Sequence, residues 1–586
     1  MARPSNADIL ERYRSKITAA KRWRRDEGYD DLWRRLIDLY RGRHYEYLSE
    51  EDRLLVNISF STVNVIAPSV AVNYPKITVN AVRPDDAPRA IITEAVINYW
   101  WRHYNVKPEF RTAVKDFLIV GHGWLKCGYR YVEEGADNEP EIAIELDDNE
   151  ANDVEPSVVV VEDRPFVERV SPFDVFVDPD GTSMQDITWI AQRVRRPLKE
   201  VRADKRYNAT ARRECAPSSW GRHSGEEYLG NRREVRDKDE QYVEVWEFYD
   251  LRKRTISVFA DGGDTFLIAP REMPYAFGHP FVMIRNYDVP DFFYPMGELE
   301  AIEPLQRELN ETRSQMMNHR KRFSRKYLFK ESAFDSTGRG LLHSDEDNVM
   351  VPVMSDEPLQ NVMAPVPAVI TPPEFYNQSQ LISTDIETVS GVSEYMRGQM
   401  PEMRRTATEA SIIADAANAR AADKLATIEL TISAVAARMV QLAQQFMESE
   451  QVARVVGKNG EPVWVTFDAD YIQGGFDFEV ESGSTAPNNE SFRRQQALQL
   501  VDAMAPFASS GIVNMAKLAA HVLQFGFGVK NPDSFLQAPP PPMPPEGAQP
   551  PQGEPPMPEG GMPPEGGLPP ELMAMLGGGM PEGMMG

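Results

Sequence analysis

Three consecutive pieces of sequence decide the fold: TPPEFYNQSQLISTDIETVS (371–390), GVSEYMRGQMPEMRR (391–405) and TATEASIIADAANARAADKLATIELTISAVAARMVQLAQQF (406–446). The first opens with Thr371, has Pro372 at the first helical position and carries Glu374 three residues after the threonine. That is a capping box with a proline start. Phe375, Ser379, Ile382, Ile386 and Val389 then recur in steps of four and three, which predicts one helical stripe. Gly391, Gly398 and Pro401 break the pattern into a loop. Thr406 and Glu409 form a second capping box. Leu425, Ile428, Ile432, Val435, Met439, Leu442 and Phe446 follow as a heptad-like seam. At 1.5 Å per residue the second helix spans roughly 60 Å. Such a helix needs packing partners along its whole length, and much of its surface is alanine.

Upstream of this stretch, Ile302, Leu305, Leu309, Thr312, Met316, His319 and Phe323 predict another helix, with a kink or restart at Pro304. Its end is basic: Arg320, Lys321, Arg322, Arg325 and Lys326. Short strand-like pieces at 327–329 and 348–353 separate it from the helix at 371. Downstream, 462–467 and 476–481 alternate as strands, and 491–505 and 512–525 read as helices. From about Ala538 the chain is Pro, Gly, Met and Glu in loose repeats, a composition that cannot bury a core and predicts disorder. Residues 571–576 are an apolar island in it, a candidate docking peptide.

The N-terminal half mixes helices and strands. A basic run (Arg12, Arg14, Lys16, Lys21, Arg22, Arg24, Arg25) reads as a solvated or subunit-facing helix, with DNA contact as the alternative. Leu32, Trp33, Leu36, Ile37 and Tyr40 form an amphipathic face that stops at Gly42. Val63, Ile66, Ala67 and Val70 share helical spacing, with a kink or restart expected at Pro68. A strand at 77–81 precedes a helix carrying Ile91, Ala95 and Tyr99, then a helix carrying Phe110, Val114, Phe117 and Leu118 that ends at Gly121-His122-Gly123. A strand follows over 124–132, and the alternation predicts an α+β or α/β body. Residues 133–155 read as an acidic exposed loop, Asp178-Pro179-Asp180-Gly181 as a turn, and 200–239 as a charged exposed excursion. Residues 242–249 and 255–260 read as a hairpin, and 280–284 as another strand.

The totals bound the function. With 586 residues, two to four domains are expected. A net charge of −25 argues against a protein that wraps nucleic acid tightly, though not against one that nucleic acid slides past. Cys127 and Cys215 fit no metal spacing and no disulfide framework, which points to a reducing compartment. The N-terminus starts no secretory signal, and no apolar run reads as a membrane span. No G-x-x-x-x-G-K-[ST], H-E-x-x-H or G-x-S-x-G occurs, and no two of the eight histidines share helical spacing. The expectation is a non-enzymatic protein without metal or cofactor, whose regularity lies in long helices and interfaces.

The order of elements now carries weight: a helix out, a small β insert, a helix back, a loop, then a long alanine-rich helix, with a mixed body on either side. This order, over roughly residues 30–530, resembles the portal proteins of tailed bacteriophages. Local stretches resemble the family too. They are Phe293-Tyr294-Pro295-Met296-Gly297 leading to Leu305-Gln306-Arg307-Glu308-Leu309-Asn310, Gly391-Val392-Ser393-Glu394-Tyr395-Met396-Arg397-Gly398, Thr406-Ala407-Thr408-Glu409-Ala410, and Phe478-Glu479-Val480-Glu481-Ser482-Gly483-Ser484. Asn57, Pro75-Lys76-Ile77-Thr78-Val79 and Gly121-His122-Gly123-Trp124 resemble its N-terminal body.

The resemblance implies an α+β portal-type fold. Its parts would be an α/β wing (1–296), a first stem helix (297–326), a small β-containing clip (327–370), a second stem helix (371–390) and a tunnel loop (391–405). A long tunnel helix (406–450), wing return strands (451–486), a helical crown (487–537) and a disordered tail (538–586) would follow. It implies a closed ring, usually a dodecamer, at one capsid vertex. Double-stranded DNA would be packaged through it by the terminase motor and later ejected. The terminase large subunit and head-completion, adaptor or tail proteins would meet the clip, and the major capsid and scaffold proteins would surround the ring. The ring would belong to the virion, be assembled in the host bacterial cytoplasm, and touch no membrane. Arg397, Arg404 and Arg405 would make transient DNA-phosphate contacts from the loop, or pair with Glu394 and Glu402 instead. Arg320, Lys321, Arg322, Arg325 and Lys326 would line the lower channel or face the capsid opening. The alternative is another phage head structural or adaptor protein without a DNA channel.

Overall fold

The computed structural model describes residues 5–44, 54–70, 75–134, 159–218, 241–323, 327–342, 350–365, 373–392, 407–456, 462–480, 490–508 and 515–529. The chain opens with α1 (Asn6–Asp26), whose start is a capping box between Ser5 and Asp8. The basic run is helical as expected, with Arg12, Arg22 and Arg25 exposed, but the helix also has a buried face that the reading missed. Between its charges lie Leu10, Tyr13, Ile17, Ala20 and Arg24, a buried stripe seated on the protein's own sheet. Tyr13 stacks on Phe248 at 4.1 Å, and the Arg24 guanidinium lies 4.6 Å from the rings of both Trp33 and Phe176. Helix α2 (Tyr29–Arg41) buries Trp33, Leu36 and Leu39 and ends, as expected, at Gly42. Helix α3 (Ile58–Val70) runs unbroken through Pro68, which sits in its last turn, so neither a restart nor a second helix is needed.

Strand β1 (Ile77–Ala81) leads to α4 (Ala87–His103) and α5 (Val106–Val120). In α4 the expected face is off by one residue. Ile91 is exposed, and Ile92, Thr93, Val96, Ile97, Trp100 and Trp101 point inward, because the two tryptophans bury more surface than Tyr99 could. In α5 the expected Phe110, Val114, Phe117 and Leu118 are all buried. Next come β2 (His122–Glu134), β3 (Val159–Val170), β4 (Val175–Val177) and β5 (Trp189–Pro197). Strand β2 extends through Glu133 and Glu134, and the rest of the acidic insert, 135–158, lies outside the described residues. At the turn after β4, the Asp178 carboxylate accepts from the Thr188 amide at 3.2 Å, so it caps the turn as expected.

Helices α6 (Leu198–Ala203) and α7 (Ala209–Glu214) correct the expected exposed excursion. Leu198, Val201, Ala211 and Cys215 are few but spaced to form a small core with Val243, Val245, Val258, Ala260 and Leu267. Strands β6 (Tyr242–Asp250), β7 (Thr255–Ala260), β8 (Phe266–Glu272) and β9 (Phe281–Arg285) complete the N-terminal body, with β6 and β7 paired as the expected hairpin. The sheets are β3-β2-β9 and β4-β5-β6-β7-β8, and every described pairing is antiparallel. An α/β body with a parallel sheet is therefore not what these strands build: β6–β7 and β7–β8 meet through short returns, and even β5 and β6, with α6 and α7 between them, pair antiparallel. Lys126 on β2 joins the two sheets through Glu247 (2.6 Å) and Gln192 (2.8 Å).

Helix α8 (Glu298–Phe323) continues through Pro304 without a restart. Beyond it lie β10 (Tyr327–Phe329), α9 (Ser336–Leu342), α10 (Leu359–Val362) and β11 (Met363–Pro365). The partner of β10 is β11, not the expected piece at 348–353; of that piece the described residues 350–353 form no strand. Its valines instead cover a small core around Ala333, Phe334 and Val362. Helix α11 (Pro373–Ser390) runs back along α8. Its capping threonine lies outside the described residues. Ile382 and Ile386 are buried, but Val389 is exposed and Ser390 takes the inward position one step later.

Helix α12 (Ala407–Phe446) is the predicted long helix. Ile428, Ile432, Val435, Met439 and Leu442 are fully buried, joined by Ala436, Val440 and Ala443. They pack on β2, β3, β9 and α3, so the seam belongs to the chain's own body. The stretch Arg420–Phe446 is long and apolar enough to cross a membrane by composition, which corrects the expectation that no run is. The burial of its seam makes it a core helix here. Its exit is tied down by Asp163 on β3, which accepts from the Ser449 amide at 2.8 Å and the Tyr129 hydroxyl.

The remaining strands are β12 (Gln451–Val456), β13 (Pro462–Phe467) and β14 (Phe476–Val480). The first two pair with each other, whereas β14 pairs with β1 from the other end of the chain. Helices α13 (Glu490–Ala508) and α14 (Met515–His521) match the two expected helices within a few residues. The tail from 530 onward lies outside the described residues.

Candidate functional site

The functional geometry is concentrated where α8, α11 and α12 meet. On α8, Leu299, Ile302, Leu309 and Met316 are buried, as the helical pattern required. Between them Gln306, Asn310 and Ser314, one turn apart, form a polar ladder that sequence periodicity did not flag. Gln306 accepts from the amides of Ile58 (3.0 Å) and Ser59 (3.1 Å) and donates to the Val56 carbonyl (2.7 Å). Asn310 accepts from the Val56 amide at 3.2 Å, and Ser314 accepts from that of Leu54 at 3.1 Å. An extended segment is thus held to α8 by its backbone, which satisfies groups that burial would otherwise leave unpaired. His44 stands beside this ladder, 2.6 Å from Asn310, and burial lowers its pKa.

The start of α8 crosses the start of β2 at very short range. Gly121 has φ +94°, and a Cβ there would come closer than 3.0 Å to the backbone of Pro295, Met296 and Gly297. A Cβ on Gly297 would lie 2.7 Å from the Ile119 carbonyl oxygen. Gly121 and Gly297 therefore serve one backbone crossing, whereas Gly123 lies against the Ala113 backbone. His122 itself is a neutral core residue, not a ligand. It packs between Trp33 (4.7 Å) and Tyr294 (5.0 Å), and burial, then the nearby Arg24 charge, push its pKa down to about 3.

At the same end of the helix pair, α12 presents two cations one turn apart. The Arg420 guanidinium donates to the Val389 carbonyl at 2.9 Å and lies across Gly391. Lys424, 5 % exposed, pairs with Glu298 at 3.0 Å and donates to the Tyr287 hydroxyl at 2.6 Å. Tyr287 in turn donates to Glu298 at 3.2 Å, and burial, then that carboxylate, raise its pKa. The sequence offered no signal for this cluster, because its three members come from separate elements.

At the far end of α8, Arg320 and Lys321 are exposed on neighbouring positions just before β10. Arg322 is in the same helix, its side chain outside the described set, and Arg325 and Lys326 lie outside the described residues. So do Arg397, Arg404 and Arg405. The described residues between 327 and 365 form a small module whose core is Ala333, Phe334 and Val362. Leu328, Met350, Met354 and Leu359 on it are 62–92 % exposed, an unusual apolar share for so small a unit. An apolar groove of about 350 Å³ lies between Phe334, Leu342, Val351, Val353, Leu359, Val362 and Met363. Among the described residues, no group of three or more His, Cys, Asp or Glu could hold a metal ion.

The family model described as phage P22-like portal protein matches residues 10–559, and the chain belongs to that family. Among solved structures it is similar to the neck of an empty GTA particle computed with C6 symmetry. That likeness has 11 % identity and a TM-score of 0.38, over 83 % of this chain and 92 % of that one. No curated protein matches. By family the protein is a phage portal, a structural component that forms a ring at the capsid vertex, connects head to tail and gives DNA its channel.

Proposed function

We propose that the helix pair α8 and α11 is the stem of this portal, the 327–370 module its clip and 391–405 its tunnel loop. Helix α12 is the tunnel helix, 451–486 are wing return strands, and 487–537 are the crown. The supporting observation is the joint of α8, α11 and α12. Helices α8 and α11 pack side by side with the small apolar module between them in the chain, and α12 is tied to the start of α8 and the end of α11 through Lys424 and Arg420. On this reading the ring is a closed homo-oligomer of heterologous contacts, a dodecamer in the virion, in which each subunit offers two different faces and no edge stays open. The exposed apolar residues of the clip meet the terminase large subunit during packaging and head-completion or tail proteins afterwards. Capsid and scaffold proteins surround the ring during assembly in the host cytoplasm. Double-stranded DNA passes without sequence-specific contact, near Arg397, Arg404 and Arg405 in the loop and near Arg320, Lys321, Arg322, Arg325 and Lys326 below.

Class averages of the purified protein should show rings with a central hole. Compact monomers at high concentration would refute the reading. Rings that recruit no packaging motor, or lose none of that recruitment when Leu328 and Leu359 become serine, would refute the clip assignment. Charge reversal of Arg320 and Lys321 should leave rings intact and change the salt dependence of packaging, since phosphate contacts are salt-sensitive. An unchanged dependence would remove those two residues from the channel.

A further inference from the structure

We propose that Arg420 and Lys424 are positioning residues for DNA passage, fixing α12 to both ends of the stem at its root; the proposal rests on the portal reading above. The two side chains are four residues apart and share one side of the helix. Arg420 takes the C-terminal end of α11. The Val389 carbonyl is among the last of that helix and has no partner within it, and a cation there is favoured by the helix dipole. Gly391 makes the contact possible. Its φ is +69°, and a Cβ would lie 2.7 Å from Arg420 Nη1 and 2.9 Å from its Cδ.

Lys424 takes the opposite kind of helix end. Glu298 occupies the first turn of α8, where a carboxylate is favoured, and the Lys424–Glu298 pair is almost fully buried with Tyr287 as third member. A buried ion pair is a poor choice for stability alone, because apolar residues of similar volume often do as well or better. What it supplies is a single permitted arrangement of three elements. From Arg420 the helix continues about 20 Å to Ala407, where the chain leaves toward Arg405, Arg404 and Arg397. A load applied to that end of α12 therefore reaches the stem through this joint.

The test supplies full-length variants in trans to phage lacking a functional portal. Rings, thermal midpoint, amide exchange over 387–392, DNA-filled heads and plaque titre are measured. Arg420→Ala and the double variant Lys424→Met with Glu298→Leu should assemble normal rings with an unchanged midpoint. Exchange at 387–392 should rise in Arg420→Ala. Filled heads should fall by about tenfold in both, the scale of a typical coupling between sites. Arg420→Lys, which keeps the cation, should recover most of the loss. Wild-type numbers of filled heads in the double variant would overturn the proposal. So would a loss that appears only together with failed rings or a lowered midpoint, because the residues would then be structural. If the wild-type chain itself forms no ring, the portal reading falls instead.

Discussion

Replacing Gly121 by alanine tests the backbone crossing that seats α8 on the body. Two penalties combine at this position. The first is conformational: alanine in the left-handed region costs about 1–2 kcal/mol. The second is steric, since the new Cβ would fall inside 3.0 Å of Pro295, Met296 and Gly297, all backbone that no rotamer change can move aside. Overpacking of this kind costs about 1–3 kcal/mol. Alanine returns about 0.4–1 kcal/mol by stiffening the unfolded chain. The expected net loss is about 2–4 kcal/mol.

Gly262 and Gly123 separate the two causes. Gly262 has φ +72° and nothing within 4 Å of a Cβ, so Gly262→Ala carries only the conformational penalty, about 1 kcal/mol or less. Gly123 has no left-handed φ but meets the Ala113 backbone, so Gly123→Ala carries only the steric one, about 1–2 kcal/mol. Urea unfolding of the assembled protein, followed through the buried Trp33, Trp100 and Trp124, should rank the variants Gly262, Gly123, Gly121 in order of increasing damage. Equal midpoints for Gly121→Ala and Gly262→Ala would mean that the chains do not cross at this distance, and the reasoning would fail.

Acid should destabilise the protein through two histidines buried neutral, His122 with a pKa pushed down to about 3 and His279 to about 4. Between pH 6 and pH 4 the unfolded chain takes up protons that the folded chain refuses, so stability falls with pH by about 1.4 kcal/mol per unit for each group. His122→Gln should remove one proton's share of that slope in thermal melts at several pH values. Ile432→Ala, at a fully buried position on α12, should cost about 2–5 kcal/mol, whereas Leu430→Ala, at a position 73 % exposed, should stay within about 0.5 kcal/mol. Equal denaturation midpoints for the pair would contradict the assigned face. Asp163→Ala should raise amide exchange at Glu448 and Ser449 and lower stability by about 1–3 kcal/mol, because the carboxylate accepts both amides.

The long helices were legible because their apolar residues repeat over many turns, and an error of one residue hardly alters such a pattern. The same periodicity failed where two faces compete. In α4, Ile91 and Ile92 both fit helical spacing, and only the burial of Trp100 and Trp101 decides between them. The stripe on α1 was hidden by the cations around it, although Leu10, Tyr13, Ile17 and Ala20 keep a clear interval. Pairings between distant strands had no local signal. Nothing near Ile77 announces that β1 will lie against Val480, some four hundred positions later. The cluster of Tyr287, Glu298 and Lys424 was illegible for the same reason. Arginine-rich stretches were the opposite case: their composition is obvious, while their role depends on what stands beside them.

That dependence bears on how an acidic protein can serve DNA. A channel must not grip its cargo, since each phosphate neutralised adds to a binding term that grows with the number of contacts. A ring multiplies every contact by the number of subunits, so few cations per chain can be spared for the channel. The cations of α1 illustrate the economy. Arg24 is buried against Trp33 and Phe176, Lys21 lies 4.6 Å from the Trp246 ring, Lys16 lies 5.9 Å from Trp189, and Arg14 donates to the Ala260 carbonyl. These side chains hold the helix to its sheet, and the DNA contact considered for this run loses most of its members. Arg420 and Lys424 are likewise turned toward helix ends within the subunit. With a net charge of −25 per chain, the surface left over repels DNA on average. On the assignment proposed above, the cations left for the genome are the exposed ones of α1 (Arg12, Arg22 and Arg25) and of α8 (Arg320 and Lys321), with the arginines of the 391–405 segment.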